Sequence, residues 1–418
     1  MTASAWDPQG RHQTRAELYR QLTKVGRDTP MGRYLRCFWY PVAPVLALKD
    51  EPVRPVTLLG EKLALFRTEE GAYGLVAQRC PHRGASLACG MAEPDGIRCA
   101  YHGWKFAPDG RCLEQPAEDP RSRMKEEIRL TAYPVEAMGG LLWTYLGPDP
   151  APLPPRYEFV VRDDYDKDVG ISRMPCNWLQ IAENTMDPLH IEYLHMRYTD
   201  YVNRRKGLPR VQVRKHQAVA YDVFEYGIIK RRLWEGDKPD SEEWTVGHPQ
   251  IFPGHAMVAY GGTDWVQYQF RVPVDDTNTI FYWYNSRRRE TGKAAQTEVP
   301  VWDNPWATPA GEFMPELLNA QDMMVMITQG EVTDHAAEHL GRSDQGVVLY
   351  RETLLEQMAR VANGEDPLGV VRDLAKNTPW IDLPVERHLG YTFSGIQSSP
   401  TYDYPDVAAK AEPADPGE

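Results

Sequence analysis

The chain has 418 residues, of which 42% are hydrophobic and 25% charged, and its formal net charge is −12. This composition excludes disorder of the whole chain, because enough apolar surface is present to build a core. The acidic balance argues against nucleic acid as a partner, since phosphate binding rewards a surplus of Lys and Arg. The apolar stretch at 138–146 is too short to span a membrane. Because residues 1–15 are polar and contain no apolar signal segment, we expect a cytoplasmic protein.

The residue pattern predicts four segments. They are an N-terminal helical segment (1–36), a small all-β domain (37–150), a larger domain (151–407) and a disordered tail rich in Ala, Pro and acidic residues (408–418). The first segment includes an amphipathic helix at 14–24 that we expect to pack on the main body. A Pro-rich stretch at 147–155 separates the two domains, because proline fixes φ and lacks a hydrogen-bond donor.

The larger domain mixes helical and strand patterns without regular βαβ alternation, which favours an antiparallel α+β fold. A hairpin is predicted from strands at 265–270 and 280–284, and helices are predicted at 314–329 and 348–363. The hairpin is rich in aromatic residues, and alternate positions along its strands would face a cavity between sheet and helix. We expect most of the rings to be core residues and two or three to contact a ligand. The rings are those of Trp265, Tyr268, Phe270, Phe281, Tyr282, Trp283 and Tyr284.

Two cysteines and two histidines form the most specific motif of the chain. Cys80, His82, Cys99 and His102 have the spacing C-x-H-x16-C-x2-H. Such a set suits a [2Fe–2S] cluster in which two thiolates hold one iron and two imidazoles hold the other. A structural zinc site is the alternative, but zinc sites usually pair their cysteines locally, whereas here each pair combines Cys with His.

A second motif, E-x3-D-x2-H-x4-H, ends with His190 and His195. Two histidines five positions apart lie about 140° apart around a regular α-helix. They can bind one metal only if the helix is distorted, and Pro188 supplies a reason, because it disfavours helical geometry at Asp187. Taken alone, two histidines on a helical stretch are more often ordinary packed or surface residues than metal ligands.

Together the two motifs resemble the oxygenase (alpha) component of the Rieske non-haem iron oxygenases over nearly the whole chain. The run Asn-Trp-Leu-Gln-x-x-Glu-Asn at 177–184 and the pair Gln321-Asp322 resemble the phthalate dioxygenase-like branch. The resemblance implies a Rieske domain followed by a helix-grip (START-like) catalytic domain. It also implies a mononuclear Fe(II) held by His190, His195 and a later carboxylate, for which we choose Asp322, with Glu331 and Asp334 as substitutes.

The same resemblance implies how such a protein works. Asp187 would connect His102 of one subunit with His190 of the next, in a homotrimer or a dimer of trimers, and a separate NADH-dependent flavin and ferredoxin reductase would supply electrons. O₂ and an aromatic acid would be the substrates, in ring hydroxylation or O-demethylation. A carboxylate clamp is predicted from basic residues that follow the second motif, namely Arg197, Arg204 and Arg205.

One alternative remains open at this point. The chain could be a non-catalytic Rieske electron-transfer protein fused to a domain that binds an aromatic ligand, and it would then carry a [2Fe–2S] cluster but no mononuclear iron.

Overall fold

The structure is a computed structural model that describes residues 14–119, 121–260 and 264–386. The predicted disordered tail lies outside the described residues. The α-helices are α1 (Arg15–Leu22), α2 (Pro30–Leu35), α3 (Met124–Glu127), α4 (Glu158–Val161), α5 (Trp178–Met186), α6 (Thr199–Lys206), α7 (Glu242–Thr245), α8 (Leu318–Thr328) and α9 (Gln345–Ala362). A π-helix covers Ile191–Tyr198. Within the described ranges, every helix is too short or too polar to cross a bilayer.

The N-terminal helix predicted at 14–24 is confirmed as α1. Thr14 caps it, since the Thr14 side chain accepts a hydrogen bond from the Glu17 backbone N–H and the Glu17 carboxylate accepts one from the Thr14 backbone. This reciprocal pair satisfies donors that a helix start leaves free. The helix packs on α9, where the Tyr19 hydroxyl donates to Glu352 at 2.9 Å. The segment is therefore tied to the main body by both apolar and polar contacts.

In the part of the chain that the structure describes, the first β region has eleven short strands in three sheets. The strands are β1 (Trp39–Pro44), β2 (Val53–Leu58), β3 (Glu61–Arg67), β4 (Tyr73–Ala77), β5 (Met91–Glu93), β6 (Gly96–Arg98), β7 (Lys105–Phe106), β8 (Cys112–Glu114), β9 (Ala132–Tyr133), β10 (Val135–Met138) and β11 (Leu141–Tyr145). Their orders are β1-β11-β10, β2-β3-β4-β9 and β5-β6-β7-β8. A separate core lies inside this region, and it includes the buried Cys80, Cys99 and Trp104.

The larger domain is built on one sheet of eight strands. The strands are β12 (Tyr165–Met174), β13 (His216–Phe224), β14 (Gly227–Trp234), β15 (His248–Ile251), β16 (His255–Tyr260), β17 (Trp265–Pro273), β18 (Thr279–Arg288) and β19 (Val301–Asp303). In the described residues their order is β13-β14-β15-β16-β17-β18-β12-β19, in which the β12–β19 pair is parallel and the other pairs are antiparallel. The predicted hairpin is confirmed as β17–β18, and the predicted α+β class is confirmed as well. The boundary predicted near residue 150 lies between β11 and β12.

The two faces of this sheet pack against different layers. On one face, Tyr268 and Phe270 join a core that extends to Trp143 of β11 in the first region. On the other face, Phe281 and Trp283 join a core with Met323 and other residues of α5 and α8. Because side chains alternate along a strand, the aromatic hairpin thus serves two cores. Of these four rings, Phe281 and Trp283 face the helices that carry the metal-binding candidates.

Candidate metal centres

The loops that carry the first motif have the same backbone conformation. The Cys80 carbonyl accepts a hydrogen bond from the Gly84 N–H at 2.8 Å, and the Cys99 carbonyl accepts one from the Gly103 N–H at 3.0 Å. Both glycines have positive φ angles, 76° and 75°, which glycine adopts without steric cost. The two cysteines therefore begin equivalent tight turns, as two equivalent halves of a cluster site require.

The side chains of these loops meet at one end of the first β region. The rings of His82 and His102 are 4.5 Å apart between centroids at an angle of 67°, and His82 stacks on Trp104 at 4.7 Å. The thiols of Cys80 and Cys99 are buried. Burial, with a smaller contribution from the neighbouring Cys99 thiol, raises the pKa of Cys80 to about 11. The four predicted ligands thus lie together, with thiols inside and imidazoles at the rim.

This arrangement fits a two-iron cluster better than a single zinc ion. In the ranges that the structure describes, only one group of three or more His, Cys, Asp or Glu residues has donor atoms within 4.8 Å of one another, and the four residues of the Cys/His motif are not that group. Donors that surround one ion must be mutually close, whereas those of a [2Fe–2S] cluster are spread over two irons. The donor chemistry and the spread of the four residues therefore both fit the cluster.

The second motif is shaped by a helix break at Asp187. Helix α5 ends there, and Asp187 itself has extended backbone angles, φ −99° and ψ 105°, as expected for the residue before Pro188. The chain then enters the π-helix, in which hydrogen bonds join residues five apart. Residues five apart lie on the same side of such a helix, so His190 and His195 converge. The predicted helix distortion is confirmed.

The set of close donors consists of His190, His195 and Asp322. The Asp322 carboxylate Oδ1 lies 3.0 Å from His195 Nε2 and 3.8 Å from His190 Nε2. The two imidazole rings are 5.2 Å apart between centroids. Asp322 comes from α8, and the substitutes considered for it, Glu331 and Asp334, are exposed instead. Two imidazoles and one carboxylate in this geometry match the facial set that holds non-haem Fe(II) with open positions.

Hydrogen bonds orient both imidazoles toward the same point. His190 Nδ1 lies 2.5 Å from the Asp187 carbonyl oxygen, and His195 Nδ1 lies 2.9 Å from the Gln321 side-chain oxygen. Because both partners are acceptors, each Nδ1 carries the proton and each Nε2 keeps its lone pair for a metal. Gln321 is held in turn, since its side-chain amide donates to Thr199 Oγ1 and to the Pro315 carbonyl.

The protonation states also suit a cation. Burial lowers the pKa of His190 to about 3, so that its ring is neutral at physiological pH. Burial alone would raise the pKa of Asp322, but the two histidines outweigh it and lower that pKa, so the carboxylate stays ionised. Burial likewise lowers the pKa of His195, but Asp322 outweighs burial and raises it. Asp322 favours a proton on Nε2 of His195, and a metal bound at this nitrogen would replace that proton.

The structure places the other predicted site residues as follows. Asp187 is half-buried, its carboxylate accepts a hydrogen bond from the Leu189 N–H at 2.8 Å, and burial raises its pKa.

The predicted clamp of arginines is not brought to the triad. Arg197 pairs with Glu192, whereas Arg204 and Arg205 are exposed on α6, where Arg204 pairs with Asp200 and Arg205 stacks on Tyr201. Their charges already have partners at the surface, which leaves the clamp without support.

Sequence reasoning missed two residues near the triad. Gln321 was noted only as a neighbour of Asp322, and its contact with His195 depends on how α8 docks. Lys230 was not noted at all, although strand alternation could have found it. In β14, residues 228, 230, 232 and 234 lie on one face of the sheet, because side chains alternate along a strand. Ile228 and Trp234 are apolar and mark this face as the buried one, so Lys230 is a cation on a buried face.

Comparisons with known proteins agree with these sites. A family model described as the Rieske [2Fe-2S] domain matches residues 38–134, and one described as the vanillate O-demethylase oxygenase C-terminal domain matches residues 174–360. The chain is 39% identical, over 88% of its length and 86% of the relative's, to the 5,5'-dehydrodivanillate O-demethylase oxygenase subunit of Sphingobium sp. (strain NBRC 103272 / SYK-6). It is 34% identical to the phenoxybenzoate dioxygenase subunit alpha of Ectopseudomonas oleovorans, over 84% of this chain and 87% of that one.

Solved structures show the same fold. The Pseudomonas putida CBB5 NdmA QL mutant with caffeine aligns with a TM-score of 0.60 at 20% identity, over 82% of this chain and 94% of that chain. The chain therefore belongs to the Rieske non-haem iron oxygenases, in which it is an oxygenase component with a Rieske [2Fe–2S] cluster and a mononuclear iron. The predicted family and cofactors are confirmed, and the non-catalytic alternative is not supported.

Proposed function

We propose that this chain is the terminal oxygenase that O-demethylates a methoxylated aromatic acid. One observation carries the proposal: in the described residues, the donor atoms of His190, His195 and Asp322 lie within 4.8 Å of one another, with His195 buried and the other two side chains partly buried. The similarity over 88% of the chain to an O-demethylase subunit favours removal of a methyl group over ring hydroxylation. Ring hydroxylation of an aromatic acid is the second candidate, and the similarity to a phenoxybenzoate dioxygenase subunit supports it.

Cys80, His82, Cys99 and His102 would hold the [2Fe–2S] cluster. The triad would hold the Fe(II). When bound, these groups supply electrons and the activation of O₂. Oxidation of the methoxy group would give a hemiacetal that separates into a phenol and formaldehyde, so one O₂ and two electrons, with two protons, yield one phenol, one formaldehyde and one water.

The chain's own residues position these groups. Gln321 and the Asp187 carbonyl hold the two imidazoles in the tautomer that leaves both Nε2 atoms free. Phe281 and Trp283 lie parallel at 4.1 Å between centroids, and both pack toward α8, where they exclude water from the helix-facing side of the sheet. A dry site strengthens electrostatic contacts with a bound substrate.

The remaining parts of the proposal concern partners. Asp187 would connect His190 with His102 of a neighbouring subunit in a head-to-tail ring, a homotrimer or a dimer of trimers. The exposed Tyr101 beside His102, at 3.7 Å between rings, places that edge of the cluster site at the surface. A separate NADH-dependent flavin and ferredoxin reductase would supply the electrons, and the protein would act in the cytoplasm.

Product analysis tests this function. The purified holoprotein, supplied with electrons by a chemical reductant, is incubated with O₂ and a panel of methoxylated benzoates, benzoates and phthalates. We expect one formaldehyde per O₂ consumed with a methoxylated acid, and no turnover in His190→Ala, which should keep the absorbance of the cluster while its iron falls from about three to about two per chain. Formation of ring diols without formaldehyde would refute O-demethylation. Full activity of the variant would refute the ligand assignment.

A further inference from the structure

A row of polar side chains crosses the helix-facing side of the large sheet. Lys230 of β14 lies directly opposite Tyr221 of β13 and His248 of β15, and directly opposite residues share one face of a sheet. The Tyr221 hydroxyl donates to the Met186 carbonyl at 3.1 Å, which is the residue before Asp187. The row therefore faces the end of α5, where the chain turns toward the iron-binding candidates.

A neighbouring contact on β14 confirms this orientation. Trp234, four residues after Lys230 and on the same face, packs with Ile191 and Met196 of the π-helix. Ile191 directly follows His190, and Met196 directly follows His195. The face of β14 that carries Lys230 is thus the face against which the π-helix lies.

Lys230 is a buried cation without a partner. Its side chain is 2% exposed, and in the described part of the chain no carboxylate oxygen lies within 4.0 Å of its ammonium and no acceptor is hydrogen-bonded to it. Its neighbour on the same face differs, because Arg232 reaches Glu243 at 3.1 Å and Glu386 at 3.4 Å. A buried charge is costly unless it is paired, so a bound anion at this position would stabilise the charged form of Lys230.

The ammonium is also near the triad. Its charge is close enough to lower the pKa of both His190 and His195, and it lowers that of Asp187 as well. Burial lowers the pKa of Lys230 itself to about 7, with Arg232 adding to the effect. Part of the population keeps the proton at neutral pH, and a bound anion would raise that fraction.

We propose that Lys230 binds the carboxylate of the substrate and so selects aromatic acids over neutral aromatic compounds. This inference rests on the proposed function, since it names the residue that recognises the acid group. The ammonium can donate up to three hydrogen bonds to a carboxylate. An anion held there would lie on the face of the sheet against which the π-helix packs, and the rest of an aromatic substrate would extend toward the triad. A buried lysine on β14 thus takes the role that was predicted for Arg197 of the π-helix and for Arg204 and Arg205 of α6.

Binding of a matched pair of probes tests this role without turnover. The holoprotein is titrated anaerobically with 3-methoxybenzoate and with its methyl ester, which differ in charge and have no phenol to ionise. We expect wild type to bind the acid more tightly than the ester. In Lys230→Met the dissociation constant of the acid should rise about 10- to 100-fold, the range expected for losing a hydrogen-bonded charge pair, while that of the ester changes less than about twofold. Lys230→Arg should retain most of the preference for the acid.

The control is Lys215→Met, which removes an exposed lysine just before β13, 3.9 Å from Glu235, and should leave both dissociation constants unchanged. Equal weakening of acid and ester in Lys230→Met would show a structural role and overturn the inference, as would a wild type that does not prefer the acid. The comparison of the acid with the ester in the wild-type protein does not depend on the folding of any variant. Formaldehyde release, measured separately, decides the proposed function, so either idea can fail while the other stands.

Discussion

Replacing Lys230 by Met should make the ligand-free holoprotein more stable, which is unusual for a fully buried position. Methionine keeps most of the aliphatic length of lysine and removes only the ammonium, so packing changes little. The ammonium of Lys230 is unpaired, and a group kept for binding rather than for stability should cost free energy until its ligand arrives.

The size of the gain follows from the pKa of Lys230. Folding lowers that pKa from 10.5 to about 7. At 1.36 kcal/mol for each pH unit, this sets a ceiling of about 5 kcal/mol on the cost of burying the ammonium. Because the unfolded chain binds more protons between these two pKa values, the stability of wild type rises with pH across that window. The cost is therefore fully present below about pH 7 and disappears toward pH 10.5.

Urea unfolding of both proteins at about pH 6.5 and about pH 9.5 measures this difference. About 3 kcal/mol of the advantage of Lys230→Met should be lost at the higher pH, calculated from the two pKa values. The charged groups that face Lys230 are Arg232, Asp187, Glu243 and Glu386, and they remain in both proteins. A variant that is less stable than wild type at the lower pH, or an advantage that does not shrink at the higher pH, would refute the reasoning.

Two further predictions concern the iron site and its connection to the cluster. Gln321→Ala should weaken iron binding about 10- to 100-fold, because His195 loses the acceptor that orients it. Dialysis against a graded chelator series measures this loss, and iron retention equal to wild type would contradict it. Asp187→Asn should keep about three irons per chain yet stop substrate-dependent reoxidation of the reduced cluster, followed by its absorbance, whereas the exposed control Asp303→Asn should reoxidise normally. Normal reoxidation in Asp187→Asn would remove the connecting role.

The ligand chemistry was readable from the sequence because it is local. Cys80 and His82 are two positions apart, and Cys99 and His102 three, so each pair sits on one tight turn whatever the rest of the chain does. The break before the π-helix was also predictable, since Pro188 restricts Asp187 through short-range steric contacts alone. Patterns of this kind depend on covalent geometry and on neighbours in the chain.

The hairpin β17–β18 was predicted for a similar reason, but the roles of its aromatic rings were only partly predictable. Alternation along a strand divides the rings into two sets without saying which set faces which layer. Packing of the first β region against one side of the sheet decides this, and it assigns Tyr268 and Phe270 to that side and Phe281 and Trp283 to the helices.

What the sequence by itself determined is the family, the Cys/His motif, the two histidines of the second motif and the α+β class, because spacing and residue type are enough to specify them. Only the tertiary structure decided that Asp322 meets His195 at 3.0 Å across more than a hundred residues of chain, that Gln321 orients His195, and that Lys230 lies on the sheet face against which the π-helix packs. The physical reason is that such contacts depend on how α8 docks and on the register of β14 in the sheet. Both are settled by the burial of whole faces rather than by any local run of residues.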